Sequence, residues 1–175
     1  RAAAEEDREN GAGNAPYPGE SPEAGRVRRK KPRAQAREDG IRRSQRLLLT
    51  WLIEDESLFG KIEGILTPDD FTEELYRQVA REVFEGHRSG TINPADILSR
   101  YINDEDQYKE VAALFNASLG DALDSAEQKK AFSDTVLKVK KYSLDAASRN
   151  AKDIAQLQEI IKQQAALKTL RIPMD

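Results

Sequence analysis

From Gly40 onward apolar residues recur at three- and four-residue intervals, the repeat of a helix with one buried face. The spacing predicts a first helix from Asp39 or Gly40 to about Glu54, with Ile41, Leu48, Leu49, Trp51 and Leu52 available to a core. A second, shorter helix begins at Asp55 and carries Leu58, Phe59, Ile62 and Ile65. Thr67-Pro68-Asp69-Asp70 then reads as a helix start, since threonine caps free amides, proline suits the first helical position and carboxylates oppose the dipole. Leu75, Val79 and Val83, offset by Tyr76 and Phe84, put a wide apolar stripe on a helix from Glu73 to Gly86. Asn93-Pro94 repeats the cap-plus-proline device before Ile97, Leu98, Tyr101 and Ile102, and Asp104 caps a further helix with Tyr108, Val111, Leu114 and Phe115. No stretch alternates like a strand over more than a few positions. The prediction is an all-α fold, with a compact bundle of five or six short helices over residues 40–124.

Residues 125–175 read differently. After Gly120 there is no glycine, and between Pro94 and Pro173 no proline, so nothing interrupts long helices. Ser125 with Gln128 matches a capping box, and Phe132, Val136, Val139, Ser143 and Ala146 continue a helix to about Ala147. A second helix runs from near Asp153 to about Leu170. A turn at Ser148, Arg149 and Asn150 would fold the two into an antiparallel hairpin; one continuous helix is the rival, because the turn lacks glycine.

The last helix carries two apolar ridges, Ile154, Leu157, Ile161 and Ala165 on one side and Ile160, Leu167 and Leu170 on another. A projecting hairpin uses one ridge for its own partner helix and leaves the second for another protein. Lys152, Lys162, Lys168 and Arg171 flank it and favour an acidic partner. Leu157, Ile160, Leu167 and Leu170 are the expected apolar anchors, with Ile154 and Ile161 beside them and Lys168 and Arg171 as steering charges. The alternative is a hairpin folded back on the bundle with both ridges buried.

Residues 1–39 contain no leucine, isoleucine or phenylalanine but four of the seven prolines, Pro16, Pro18, Pro22 and Pro32. Such a stretch cannot offset about 1–2 kcal/mol of backbone entropy per residue, and a disordered linker is expected. Arg26, Arg28, Arg29, Lys30, Lys31, Arg33 and Arg37 form a basic run within it, without interleaved aromatics. It reads as a solvated, self-repelling tether or as a weak, nonspecific phosphate contact. Net charge is +1 for residues 1–39, −8 for 40–124 and +4 for 125–175, and −3 for the whole chain of 175 residues. The bundle is thus acidic and the tail basic.

Lack of cysteine excludes disulfides and thiolate metal sites, and no apolar run is long enough to span a bilayer. A cytoplasmic protein without membrane attachment is expected, and Arg1 in place of methionine reads as part of a longer chain. Catalytic signals are weak. His87 has no spaced second ligand, and Asp69-Asp70 and Asp104-Glu105-Asp106 are better explained as acids at helix starts than as metal ligands. Without a phosphate loop, a nucleophile elbow or a zinc pattern, no enzyme activity, cofactor or metal is expected of this chain by itself.

Several runs together resemble one family. Arg43-Ser44-Gln45-Arg46-Leu47-Leu48-Leu49-Thr50-Trp51-Leu52-Ile53, then Ser57-Leu58-Phe59, Leu66-Thr67-Pro68-Asp69-Asp70-Phe71 and Tyr76-Arg77-Gln78-Val79 resemble the C-terminal helicase-binding domain of bacterial DNA primase. Asp153-Ile154-Ala155-Gln156-Leu157-Gln158-Glu159-Ile160-Ile161-Lys162 is similar to that family's closing hairpin, and the likeness covers about residues 40–172. It implies a non-catalytic docking module, monomeric by itself, that attaches an RNA-polymerising primase to the hexameric replicative helicase. The N-terminal domain of the helicase has a similar bundle and is the nearest alternative, followed by a helical module tethered to nucleic acid. The order of linker first and hairpin last favours primase.

Overall fold

The computed structural model describes residues 32–119 and 125–174. The basic residues Arg26, Arg28, Arg29, Lys30 and Lys31, and the expected linker up to residue 31, lie outside the described residues. Seven α-helices and no strand occur among the described residues, so the fold is all-α.

Helix α1 spans Arg33–Glu54. It begins ahead of the expected start at Asp39 or Gly40, so residues 33–39 belong to a helix and not to a linker. Ala34, Gln35, Ala36, Arg37 and Glu38 are good helix formers, and nothing after Pro32 breaks them. The early turns also gain tertiary support, because Arg37 reaches Asp145 at 3.3 Å and lies over the Tyr142 ring at 5.8 Å. Farther on, Gln45, Leu48, Leu49, Thr50, Trp51 and Leu52 are all buried. Burial around so much of its circumference makes α1 the central helix.

A 3-10 turn over Glu56–Leu58 runs into α2, Phe59–Ile62, which Gly64 ends at φ +75. This is shorter than the sequence predicts and leaves Ile65 outside the helix. Thr67-Pro68-Asp69-Asp70 likewise makes only a 3-10 turn, Pro68–Asp70, where the residue pattern predicts a longer helix. The capping box forms, but the Asp70 carboxylate is also held from a distant part of the chain, and Phe71 leaves the turn extended. Besides the Thr67 amide, the carboxylate accepts from Ser143 Oγ at 2.6 Å and pairs with Lys140 Nζ at 3.2 Å, which turns it inward. Phe71 then runs extended and fully buried.

Helix α3, Glu74–Arg88, starts where the buried Gln45 amide intervenes. Gln45 Oε1 accepts from the Glu73 backbone N–H at 3.0 Å and Nε2 donates to Thr72 Oγ1 at 2.7 Å. The helices α4, Pro94–Ser99, and α5, Glu105–Asn116, begin on the Asn93 and Asp104 caps read from the sequence. Ser125 caps α6, Ala126–Arg149, by accepting from the Gln128 amide. Asp153 caps α7, Ile154–Leu167, through the Gln156 amide. The two are separate helices joined by a short turn, a hairpin and not one rod.

That hairpin is not a body apart from the bundle. Phe132, Val136 and Val139 of α6 are fully buried in the same core as Leu48, Leu49 and Leu52 of α1, and Phe132 meets Trp51 edge to face at 5.6 Å. After α7 the chain turns back and places Ile172 in this core, with Met174 packed against it. The parts expected over residues 40–124 and 125–175 therefore share one interior.

Two glycines test the packing. A Cβ at Gly40 would meet nothing within 4 Å, so Gly40→Ala is expected to stabilise by about 1 kcal/mol through helix propensity. A Cβ at Gly86 would lie 3.0 Å from the Thr91 carbonyl oxygen and 3.1 Å from Ile92 Cα, backbone atoms that cannot rotate away. Gly86→Ala is expected to cost about 1–3 kcal/mol, so thermal melts of the two variants move in opposite directions.

Candidate functional site

Five large apolar side chains stand exposed among the described residues, and three of them, Ile154, Leu157 and Ile161, lie on α7. Ile154 is 75%, Leu157 36% and Ile161 53% exposed. At about 100° per residue these three fall within roughly 60° of one another, forming a single strip on the outer face. Lys162 is exposed at one side of it and Lys168 just past its C-terminal end, and Lys152 lies before the helix start. The strip is apolar with a basic margin.

The expected apolar contact residues divide between two sides of the helix. Ile160 is buried, and Leu167 and Leu170 are half-buried, so this ridge faces the protein. The ridge of Ile154, Leu157 and Ile161 is the one left bare. Ile160 and Leu167 lie about 20° apart on the helix and turn together toward α6. Leu170 follows the end of α7, in a turn where its N–H donates to the Leu167 carbonyl at 3.2 Å, and the chain then carries Ile172 into the core. Of the eight expected contact residues, Ile154, Leu157 and Ile161 thus form the outer strip, and Ile160, Leu167 and Leu170 support it from beneath. Lys168 and Arg171 remain exposed, and Arg171 donates to the Leu170 carbonyl at 3.3 Å.

Helix α7 sits on a narrow seat with a groove on each side. One groove, between α6 and α7, is floored by Leu137 and Leu167 and edged by Lys138, Lys141 and Lys168. The other separates α7 from Gly64 and Ile65 and is floored by Leu144 and Leu170. Lys138 and Lys141 of the first groove were missed in the sequence reading, whereas Lys168 was among its expected charges. Their signal was present, because Leu137, Lys138 and Lys141 recur at three- and four-residue steps along one face of α6.

Several of the polar residues weighed for chemistry make contacts within the fold. His87 stacks flat on Phe59 at 4.1 Å with Nδ1 3.4 Å from Glu56 Oε2. Asp70 ties its turn to α6, and Asp104 caps α5. Tyr76 donates to Glu110 at 2.8 Å, and Arg46 donates to the same oxygen at 2.6 Å, linking α1, α3 and α5. Burial, with the Glu110 carboxylate beside it, holds the Tyr76 hydroxyl far above its usual range. Burial also pushes the Glu82 carboxyl up, against the opposing pull of Arg100 and of the Tyr101 hydroxyl that donates to it. Arg100 Nε stands 3.5 Å from Glu82 Oε2, an ion pair without a hydrogen bond. Among the described residues no group of three or more His, Asp or Glu side chains could hold a metal ion. Nor is any described helix long and apolar enough to cross a membrane. Of the expected basic run, Arg33 and Arg37 fall within the described residues; Arg33 is exposed in the first turn of α1, and Arg37 pairs with Asp145.

Comparison of the chain with protein-family models, curated proteins and solved structures gives no match.

Proposed function

We propose that this chain is a non-catalytic docking module of a bacterial replicative primase. Its closing helix binds the replicative helicase ring, so that RNA primers are made where the duplex is opened. The reading is supported by the runs that resemble the family's helicase-binding domain, which fall in α1, in the Thr67–Phe71 turn and in the first half of α7. The observation that carries it is the bare Ile154, Leu157 and Ile161 strip on α7. Three neighbouring aliphatic side chains on this helix leave much of their area in water and gain further free energy when another surface removes them from it. The basic margin adds long-range attraction to an acidic face and limits binding to partners of that charge. A non-catalytic anchor of this kind acts through effective concentration, holding the polymerising domain of the parent protein close to the emerging single strand.

Ile154→Asp combined with Ile161→Asp is expected to weaken binding to a bacterial replicative helicase by about 100-fold or more, in calorimetry. The thermal melt is expected to shift by only a few degrees, since both side chains are more than half exposed. Wild-type affinity in this double variant would remove the strip from the interface.

A further inference from the structure

The groove between α6 and α7 has a volume of about 600 Å³ and lies directly beside the strip. At about 100° per residue Leu157, Ile161 and Lys168 fall within roughly 40° of one another, so the strip leads into the wall formed by Lys168. Leu137 and Leu167 give the groove an apolar floor. Its walls are cationic on both sides, with Lys138 and Lys141 on α6 and Lys168 just past α7. All three lysines are exposed, and none forms an ion pair among the described residues.

Lysines outnumber acidic side chains in the lining, three against two, and the acids lie at the two ends. Asp145 is already engaged, by Arg37 at 3.3 Å and by Gln164 Nε2 at 3.1 Å. Asp134 lies at the opposite end, one helical turn before Lys138. From Asp134 to Asp145 the α6 axis advances about 16 Å, which is three helical turns. An apolar trough of that length between two antiparallel helices has the shape that a third helix fills.

We infer that this groove seats one amphipathic helix of the partner protein, about three turns long, aliphatic along one stripe and acidic on both edges. The inference rests on the docking reading of this end of the molecule and names the recognition element of the partner. Aliphatic residues at i, i+3 or i+4 and i+7 cover Leu137 and Leu167. Flanking Glu or Asp side chains meet Lys138 and Lys141 on one edge and Lys168 on the other. Among the described residues a second copy of this chain does not offer such a helix. Its acidic α5 already buries Val111 and Leu114 in its own core.

The test uses the full chain and a fluorescein-labelled synthetic helix of about 15 residues with a leucine stripe flanked by glutamates; the control peptide carries lysines in their place. Fluorescence anisotropy is expected to show binding of the acidic peptide and about tenfold or more weaker binding of the basic one. Lys138→Glu with Lys141→Glu is expected to lose about tenfold or more in affinity for the acidic peptide and for the replicative helicase, with an unchanged melt. Ile154→Asp with Ile161→Asp is expected to keep its affinity for the peptide within about twofold while losing the helicase. Equal binding of both peptides, or wild-type affinity for peptide and helicase in the lysine double variant, would overturn the inference and leave the strip reading standing. A self-association that the lysine double variant abolishes, seen in sedimentation, would overturn it in favour of a second copy. Peptide binding without helicase binding by the wild-type chain would keep the groove and remove the helicase as partner.

Discussion

Asp70→Ala is expected to destabilise the fold by about 3 kcal/mol, although the residue lies in a three-residue turn far from α6 in sequence. The carboxylate is 6% exposed and serves donors from two separated parts of the chain. It accepts from the Thr67 N–H at 2.9 Å, from Ser143 Oγ at 2.6 Å and from Lys140 Nζ at 3.2 Å. Truncation strips the turn of its cap and leaves the serine hydroxyl and the ammonium beside a small void. Lys140 is 21% exposed and can recover part of its hydration, which keeps the loss below that of a fully enclosed ion pair. Urea unfolding of the single variants and of the pair with Lys140→Ala gives the coupling directly. A loss smaller than about 1 kcal/mol for Asp70→Ala would show that the turn is held by Phe71 packing and not by this carboxylate.

Phe132→Ala is expected to cost about 3–5 kcal/mol and to lower the midpoint of one cooperative transition. Phe132 is fully buried against Trp51, their rings nearly perpendicular at 79°, so its removal opens a cavity between the first long helix and the penultimate one. The shape of the transition matters as much as its position. If α6 and α7 were an appendage, the variant would show an early partial loss of helical signal followed by wild-type melting of the rest. A shared core predicts that far-UV ellipticity and tryptophan fluorescence move together.

The starts of α4, α5, α6 and α7 were legible in the sequence because capping is local chemistry. Asn93, Asp104, Ser125 and Asp153 each accept from an amide two or three residues on, whatever the rest of the chain does. The Thr67-Pro68 signal is of the same kind and overshot. Its acid keeps the local cap but also binds Lys140 and Ser143, partners about seventy residues away that no local pattern reveals. The beginning of α1 was missed because an Arg- and Ala-rich segment without large apolar residues looks like linker until Asp145 and Tyr142 are placed beside Arg37.

On α7 the periodicity revealed both ridges but not which one faced inward. That choice depends on the azimuth at which the helix leaves its turn and on the return of Ile172 to the interior. Neither can be read from spacing along a single helix. The same limit applies to the lysine-edged groove: its residues repeat visibly on α6, yet only the approach of Leu167 and Lys168 makes a trough of them.

The slender footing of α7 bears on the order in which the molecule opens. Ile160 is the one buried side chain of that helix, whereas α6 contributes five. Detaching α7 therefore uncovers little nonpolar area and leaves the interior beneath α6 closed. Its amides are expected to exchange with deuterium through excursions well below global unfolding, while those around Phe132 wait for the whole structure to open. Ile172 sets the reach of such excursions, pinning the far end so that the segment lifts like a handle hinged at both sides. A partner that grips the outer strip would then slow deuterium uptake along the entire segment, including amides it never touches.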